Sequence, residues 1–229
     1  YPEALLFLAK KYNIEIEYEE IDPKIKKKTE DREATIIVLN FVKEVFCANL
    51  SGSDNSARLY LKNRGFNNDT IKHFDIGYAP KGDKGLIKEA KEKGYNLKYL
   101  HKARIINEKE QNRFSGRLIF PIYSITSQVV GFGGRILEDN LKSVKYLNSD
   151  SSDLYQKSKI LYGLNFAKTY IKNLDFCYVV EGYTDVMSMF QLGIKNVVSN
   201  CGTALTKDQI RLIKRFTNNI TILFDSDIA

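Results

Sequence analysis

The fold class is decided by Phe176-Cys-Tyr-Val-Val-Glu181-Gly-Tyr-Thr-Asp185, in which an apolar run leads directly into a helical pattern. The continuous apolar run over 176–180 is typical of a strand that is buried on both faces of a sheet. The helical pattern over 183–192 ends at Gly193, and strand-like runs follow over 194–198 and 220–224. Between those two runs, a capping box at 206–209 predicts a helix that continues to about residue 216. Strand, helix, strand, helix, strand with short connections predicts a parallel sheet with right-handed crossovers.

Four acidic residues stand where these strands are expected to end. Glu181 follows the first strand, Asp225 follows the third, Asp227 comes two residues later, and Asp185 lies one helical turn beyond Glu181. Because the carboxyl ends of parallel strands meet at one edge, we expect these carboxylates to lie close together. Carboxylate oxygens suit Mg²⁺ or Mn²⁺, and a group of them without a cation would repel. For any single one, the alternative is a structural role at a helix start or turn.

The middle of the chain interleaves basic and aromatic side chains. The basic residues are Arg113, Arg117, Arg135, Lys142, Lys145, Lys157 and Lys159, and the aromatic residues are Phe114, Phe120, Phe132, Tyr146 and Tyr155. Arginine clamps phosphates through two parallel hydrogen bonds, lysine offers a point charge, and aromatic rings stack on unpaired bases. This pattern indicates nucleic acid or nucleotide binding, and the alternative is a solvated basic face above core aromatics.

The first 173 residues predict a mixed arrangement of helices and strands. The predicted helices cover about 31–49, 56–64, 68–73 and 84–93, with a further helix over the first twelve residues and a solvated, charged linker over 15–30. Strand-like runs over 117–122 and 128–132 predict a hairpin, followed by a loop over 133–135 and a short strand over 145–149. Pro121 places the first of these strands at a sheet edge or near its own end.

The composition of the 229 residues excludes several classes of protein. The formal charge of +7 favours polyanionic partners, and the hydrophobic content of 43% is ordinary for a globular protein. The three cysteines form no C-x-x-C pair, so no zinc ribbon or disulfide framework is indicated. Since no signal peptide and no apolar run of ~18 residues is evident, we expect a cytoplasmic protein with no membrane span.

The acidic residues and the basic, aromatic segment described above resemble the motifs of a known family. Glu181-Gly-Tyr-Thr-Asp185 followed by Asp225-Ser-Asp227 resembles the Toprim signature shared by primases, topoisomerases and related nucleases. Upstream, four motifs in the right order resemble those of bacterial DnaG-type primases. They are Arg113-Phe-Ser-Gly-Arg117, Val130-Gly-Phe-Gly-Gly-Arg135, Lys145-Tyr-Leu-Asn-Ser149 and Leu161-Tyr-Gly-Leu164. Two departures are Asp225-Ser-Asp227 in place of Asp-Gly-Asp, and Asp150-Ser-Ser152 in place of Pro-Glu-Thr.

The resemblance implies a basic α+β N-terminal subdomain followed by a truncated α/β Toprim subdomain with a Rossmann-like parallel sheet. The expected divisions are 1–30 (helix and linker after an absent zinc-binding domain), 31–173 (basic core) and 174–229 (Toprim). By motif position the metal ligands are Glu181, Asp225 and Asp227, and Asp185 is a further catalytic acid. The nucleotide- and template-binding residues implied are Arg113, Arg117, Arg135, Lys145 and Lys157. Mg²⁺ or Mn²⁺ is the implied metal, with zinc expected only in the absent domain.

The function implied by the resemblance is synthesis of short RNA primers on single-stranded DNA by metal-dependent nucleotidyl transfer. The implied partners are the single-stranded template, ribonucleoside triphosphates and a replicative helicase, which would bind an absent C-terminal domain. Two alternatives stay open from the residues: a Toprim nuclease or topoisomerase-like enzyme, and a non-catalytic Toprim module that binds nucleic acid.

Overall fold

The computed structural model describes residues 8–9, 11–14, 23–52, 56–82, 85–138, 144–202 and 204–224. Lys142, Asp225 and Asp227 therefore lie outside the described residues, as do 1–7 and 15–22 of the predicted N-terminal helix and linker. The helices are α1 (Pro23–Ser51), α2 (Ser56–Asn63), α3 (Asn68–His73), α4 (Gly85–Glu92), α5 (Leu97–Lys102), α6 (Leu164–Leu174), α7 (Tyr183–Gln191) and α8 (Lys207–Ile213).

The strands form two sheets. They are β1 (Gly77–Ala79), β2 (Arg117–Tyr123), β3 (Val129–Ile136), β4 (Tyr146–Asn148), β5 (Cys177–Val180), β6 (Val197–Ser199) and β7 (Ile220–Leu223). The first four are antiparallel in the order β1-β2-β3-β4, and the last three are parallel in the order β6-β5-β7. An α+β part thus precedes a small parallel α/β part, which confirms the predicted fold class.

Helix α1 begins at Pro23, so the prediction of a linker that continues to residue 30 is wrong for residues 23–30. Proline is favoured in the first helical turn, and the lysines that follow are good helix formers whose side chains stay in water. The helix is long and apolar enough to cross a membrane by length and composition alone. Its apolar face instead packs into the core, where Val42 and Phe46 contact the sheet.

The hairpin of β2 and β3 forms the centre of the antiparallel sheet. β1 pairs only with residues 117–119, so Pro121 has a neighbouring strand on one side, in agreement with its predicted place near the strand end. The predicted loop over 133–135 is wrong, because β3 continues to Ile136. Its glycines are buried within the sheet.

Alternate residues of the hairpin face two different cores. Ile119 and Phe132 pack with α1, whereas Leu118 and Phe120 pack with Tyr183 and other residues of α7. A third core, on the parallel sheet, joins Val179 and Val198 to helices α6 and α8. The antiparallel sheet is therefore covered by α1 on one face and by the start of the parallel unit on the other.

The two sheets meet where Tyr183 lies over Gly133. A Cβ atom at Gly133 would lie 2.5 Å from the hydroxyl oxygen of Tyr183 and 2.6 Å from its Cε2. The ring stacks on Phe120 at 4.8 Å between centroids and meets Tyr162 edge-to-face at 4.7 Å. Its hydroxyl donates to Oδ1 of Asn148 at 2.5 Å. A glycine is thus required in β3 at the point where Tyr183 of α7 packs on the strand.

Gly133→Ala should destabilise the full-length protein by about 1–3 kcal/mol, the usual cost of overpacking a core. The measurement is urea unfolding of Gly133→Ala alone and in a Tyr183→Leu background. Because the overlap is with the tyrosine ring, the cost of the alanine should fall in that background. An equal cost in both backgrounds would place the strain somewhere other than under Tyr183.

Candidate active site

Glu181 lies directly after β5, at the carboxyl edge of the parallel sheet, and is half-buried. Its backbone carbonyl accepts hydrogen bonds from Oγ of Ser199 at 2.6 Å and from the amide of Gly202 at 3.2 Å. The Ser199 hydroxyl also accepts from the amide of Cys201 at 2.9 Å. The residues that follow β5 and β6 are therefore tied together, and the backbone of Glu181 is held at this edge.

Asp185 stands in the first turn of α7, where its carboxylate accepts from the amide of Gly182 at 2.9 Å. An acid at this place satisfies an orphan backbone donor and is stabilised by the positive end of the helix dipole. The structure thus gives Asp185 a helix-capping contact, and its part in catalysis stays a prediction.

The carboxylates of the parallel edge suit a hard divalent cation in their chemistry. β7 pairs with β5 up to Leu223 opposite Val180, so it ends at the same edge as Glu181 and two residues before Asp225 in the sequence. Within the described ranges, no group of three or more His, Cys, Asp or Glu could hold a metal. The described part therefore contributes Glu181, with Asp185 one turn away, and the other two predicted ligands fall outside it. Oxygen donors of this kind fit Mg²⁺ or Mn²⁺.

Arg135 lies on the face of the antiparallel sheet that the parallel unit covers. In the strand ladder it stands opposite Leu118 and Tyr146, and it shares its face with Gly133 two residues earlier. Its guanidinium carbon is 4.5 Å from the ring centroid of Tyr60 and 5.6 Å from that of Tyr146. Tyr146 in turn lies 6.3 Å from Tyr183, between centroids. A continuous set of contacts therefore links Arg135 to the helix that follows Glu181.

Lys157 and Lys145 belong to two further segments. Lys157 opens a 3₁₀ turn (Lys157–Lys159) and lies close enough to Cys201 to influence its thiol. Burial raises the pKa of the Cys201 thiol to about 11, and the charge of Lys157 acts in the opposite direction. Lys145 is exposed directly before β4. Arg135 is thus linked to Tyr183 through Tyr146, Lys145 precedes Tyr146 in the chain, and the place of Lys157 in the site stays a prediction.

Arg117 and Arg113 are not part of this group. Arg117 shares its sheet face with Ile119 on the α1 side, is 7% exposed, and donates through Nη1 to the carbonyls of Gly134, Val144 and Lys145 at 3.0–3.4 Å. Burial lowers the pKa of Arg117. This geometry does not favour the predicted phosphate contact. Arg113 makes two hydrogen bonds, of 2.7 and 3.1 Å, to the carboxylate of Asp150.

Two family models match the chain. Residues 45–168 match the N-terminal domain of the DNA primase catalytic core, and residues 178–229 match a Toprim-like domain. The chain belongs to the DNA primase family. The DNA primase of Clostridium acetobutylicum is 39% identical over 99% of this chain and 38% of the relative. The chain spans about two fifths of the length of the curated primases it matches.

Solved primase structures share the fold. The zinc-binding and RNA polymerase domains of the Aquifex aeolicus primase match with a TM-score of 0.81 and 35% identity, over 99% of this chain and 54% of that one. A DnaG primase catalytic domain bound to single-stranded DNA matches with a TM-score of 0.77 and 34% identity, over 87% of this chain and 65% of that one.

Several residues that shape this primase core were not singled out from the sequence. Tyr183, Ser199 and Asn148 act through contacts between segments far apart in the chain. Tyr60, which packs on Arg135, comes from a helix 75 positions earlier. A further signal was Gly133-Gly134 next to Arg135, because a glycine inside a strand often marks the close approach of another element.

Arg117→Met should destabilise the full-length primase by about 2–3 kcal/mol, because it leaves backbone carbonyls without a charged donor in the protein interior. The matched control is Arg211→Met, which removes the same charge from an exposed ion pair with Asp208 and should cost less than about 1 kcal/mol. Urea unfolding of both variants tests the assignment. Equal costs would contradict a specific structural role for Arg117.

Proposed function

We propose that the chain is the catalytic part of a bacterial replicative primase, a DNA-directed RNA polymerase that makes short RNA primers on single-stranded DNA. The observation that carries the proposal is the docking of Tyr183 on Gly133. This contact joins the helix that follows Glu181 to the sheet face that bears Arg135, which supports the proposal that the two act together. Primer synthesis requires this combination, since metal-binding carboxylates must work beside cations that hold phosphates.

The acidic edge would serve the chemical step of this nucleotidyltransferase. Glu181, Asp225 and Asp227 would hold Mg²⁺ or Mn²⁺, with Asp185 completing the acidic group. When bound, the metal would favour deprotonation of the attacking 3′-hydroxyl and neutralise charge on the departing pyrophosphate. Glu181 suits this role because its backbone is fixed by Ser199 and Gly202, so the carboxylate starts from a rigid position.

The basic residues would bind the phosphates of the triphosphate and of the template strand. Arg135, Lys145 and Lys157 are the residues we assign to this role. Arg113 carries a half-buried guanidinium paired with the exposed Asp150 and would contact the template backbone. Arg117, which is buried under β3 and β4, would support this surface by holding its backbone in place.

The partners follow from the family. A single-stranded DNA template is supported by the relative solved with single-stranded DNA bound, and ribonucleoside triphosphates would be the substrates. A replicative helicase would bind a further domain of the whole protein. The protein would act in the cytoplasm. The match to the primase model over residues 45–168 favours primer synthesis over a Toprim nuclease or a non-catalytic module.

Glu181→Gln and Asp225→Asn in the full-length protein should each reduce primer synthesis by about 100-fold or more, as expected when an electrostatic contact to a transition state is removed. The measurement is RNA synthesis on single-stranded DNA with Mg²⁺, together with calorimetry of Mn²⁺ binding. The control is Asp208→Asn, an acid on α8 paired with Arg211 at 2.9 Å. Normal synthesis by either site variant would refute the metal assignment, and strand cleavage without synthesis would favour a nuclease.

Lys157→Gln should weaken binding of single-stranded DNA and reduce the slope of log affinity against log salt by about 1, because one phosphate contact is lost. Fluorescence anisotropy with the full-length protein across a salt series measures both quantities. Lys88→Gln is the control, since Lys88 pairs with Glu92 at 3.8 Å on the exposed side of α4. The same slope change in both variants would point to general charge rather than to a contact.

A further inference from the structure

Tyr60 of α2 holds one side of the Arg135 guanidinium. The guanidinium carbon lies 4.5 Å from the Tyr60 ring centroid, the shorter of its two cation–π contacts. On its other contact, Arg135 donates from Nη1 to the hydroxyl of Tyr146 at 3.1 Å. The arginine is thus bracketed by one ring from the helical part of the chain and one from β4.

The hydrogen bonds of Tyr60 and Arg135 show whether the ring or the hydroxyl of Tyr60 contacts the guanidinium. The buried hydroxyl of Tyr60 and the buried Nε of Arg135 have no hydrogen-bond partner among the residues that the structure describes. The contribution of Tyr60 to Arg135 is therefore made by the ring and not by its hydroxyl. A buried N–H without an acceptor is costly, so an oxyanion that reached this edge of the guanidinium would be bound favourably.

The segment that follows α2, the helix of Tyr60, is tied to the helix that begins beside Glu181. Gln191, the last residue of α7, donates from Nε2 to the carbonyl of Gly65 at 2.9 Å and accepts from the amide of Asn67 at 2.9 Å. The neighbouring Leu61 is fully buried. The end of α2 is therefore fixed to one end of α7, while the other end of α7 follows the acidic edge.

We propose that Tyr60 is a positioning residue, whose ring orients the Arg135 guanidinium so that its edge faces a phosphate of the bound nucleotide or template strand. The inference rests on the proposed function, because it assigns a purpose to the phosphate-binding role of Arg135. A ring against the flat face of a guanidinium restricts its rotation and leaves the N–H groups of its edge for bidentate contact. Lysine has no such plane, so Arg135→Lys would lose both properties.

The test compares Tyr60→Leu with Tyr60→Phe in the full-length protein. Tyr60→Leu should lose between about 3-fold and 30-fold in phosphate binding, the range for a cation–π contact from exposed to desolvated. Tyr60→Phe keeps the ring and should restore wild-type values. Two measurements separate the sources of the phosphate: a raised KM for nucleotide with little change in kcat identifies the triphosphate, and a raised Kd for single-stranded DNA identifies the template backbone.

A double-mutant cycle shows whether Tyr60 acts through Arg135. In an Arg135→Gln background, Tyr60→Leu should cause no further loss, whereas a residue that only stabilises the fold would still cause one. Arg64→Gln serves as the charge control, since Arg64 approaches the same ring at 5.6 Å from an exposed position. Arg135→Lys gives a second route if Tyr60→Leu is poorly folded, and it should show a loss at least as large, because it removes both the planar contact and bidentate binding.

Three results would overturn the inference: wild-type KM and Kd in Tyr60→Leu, a failure of Tyr60→Phe to restore them, or an equal loss with and without Arg135. Failure of the proposed function is a separate outcome. If the wild-type protein made no primers, anisotropy with single-stranded DNA and equilibrium binding of a fluorescent nucleotide would still measure the effect of Tyr60.

Discussion

The close packing of Tyr183 on Gly133 is the contact on which the arrangement of the site depends. The tyrosine is 2% exposed and lies against Phe120 and Tyr162, so the two sheets share one apolar junction there. Tyr183 follows Glu181 by two residues. The position of Glu181 therefore depends on how closely the Tyr183 ring packs on Gly133. Any side chain at residue 133 would move the helix and the acid together, since packed interiors transmit strain.

The two arginines of neighbouring strands show how the strand ladder divides roles between residues of the same chemistry. Arg117 and Arg135 lie on opposite faces of the hairpin, because Arg135 stands opposite Leu118 rather than Arg117. One guanidinium is enclosed on the α1 side and satisfies backbone carbonyls, while the other lies between two tyrosine rings on the side of the parallel sheet. A basic motif read along the sequence does not separate these roles, whereas the register of the strands does.

The features of the fold that the sequence predicts correctly are those that depend on residues close together in the chain. The strand over 176–180, the capping box at Thr206 and the place of Glu181 after a strand are local patterns, and the structure has all three. Helix α6 and the continuation of β3 through its glycines were not predicted, because tertiary packing overrides weak or contrary local signals. The roles of Ser199 and Tyr60 depend on partners 18 and 75 positions away, which no spacing rule reveals.

The junction around Tyr183 is buried, and this burial shifts the pKa values of its titratable side chains. Burial raises the pKa of Tyr183 and Tyr162 well above the ordinary value, and it raises the pKa of the Cys201 thiol to about 11. These groups therefore stay neutral at neutral pH, and Cys201 has almost no reactive thiolate there. Because none of these buried groups ionises near neutrality, the junction adds no pH-dependent charge beside the strand edge that bears Glu181.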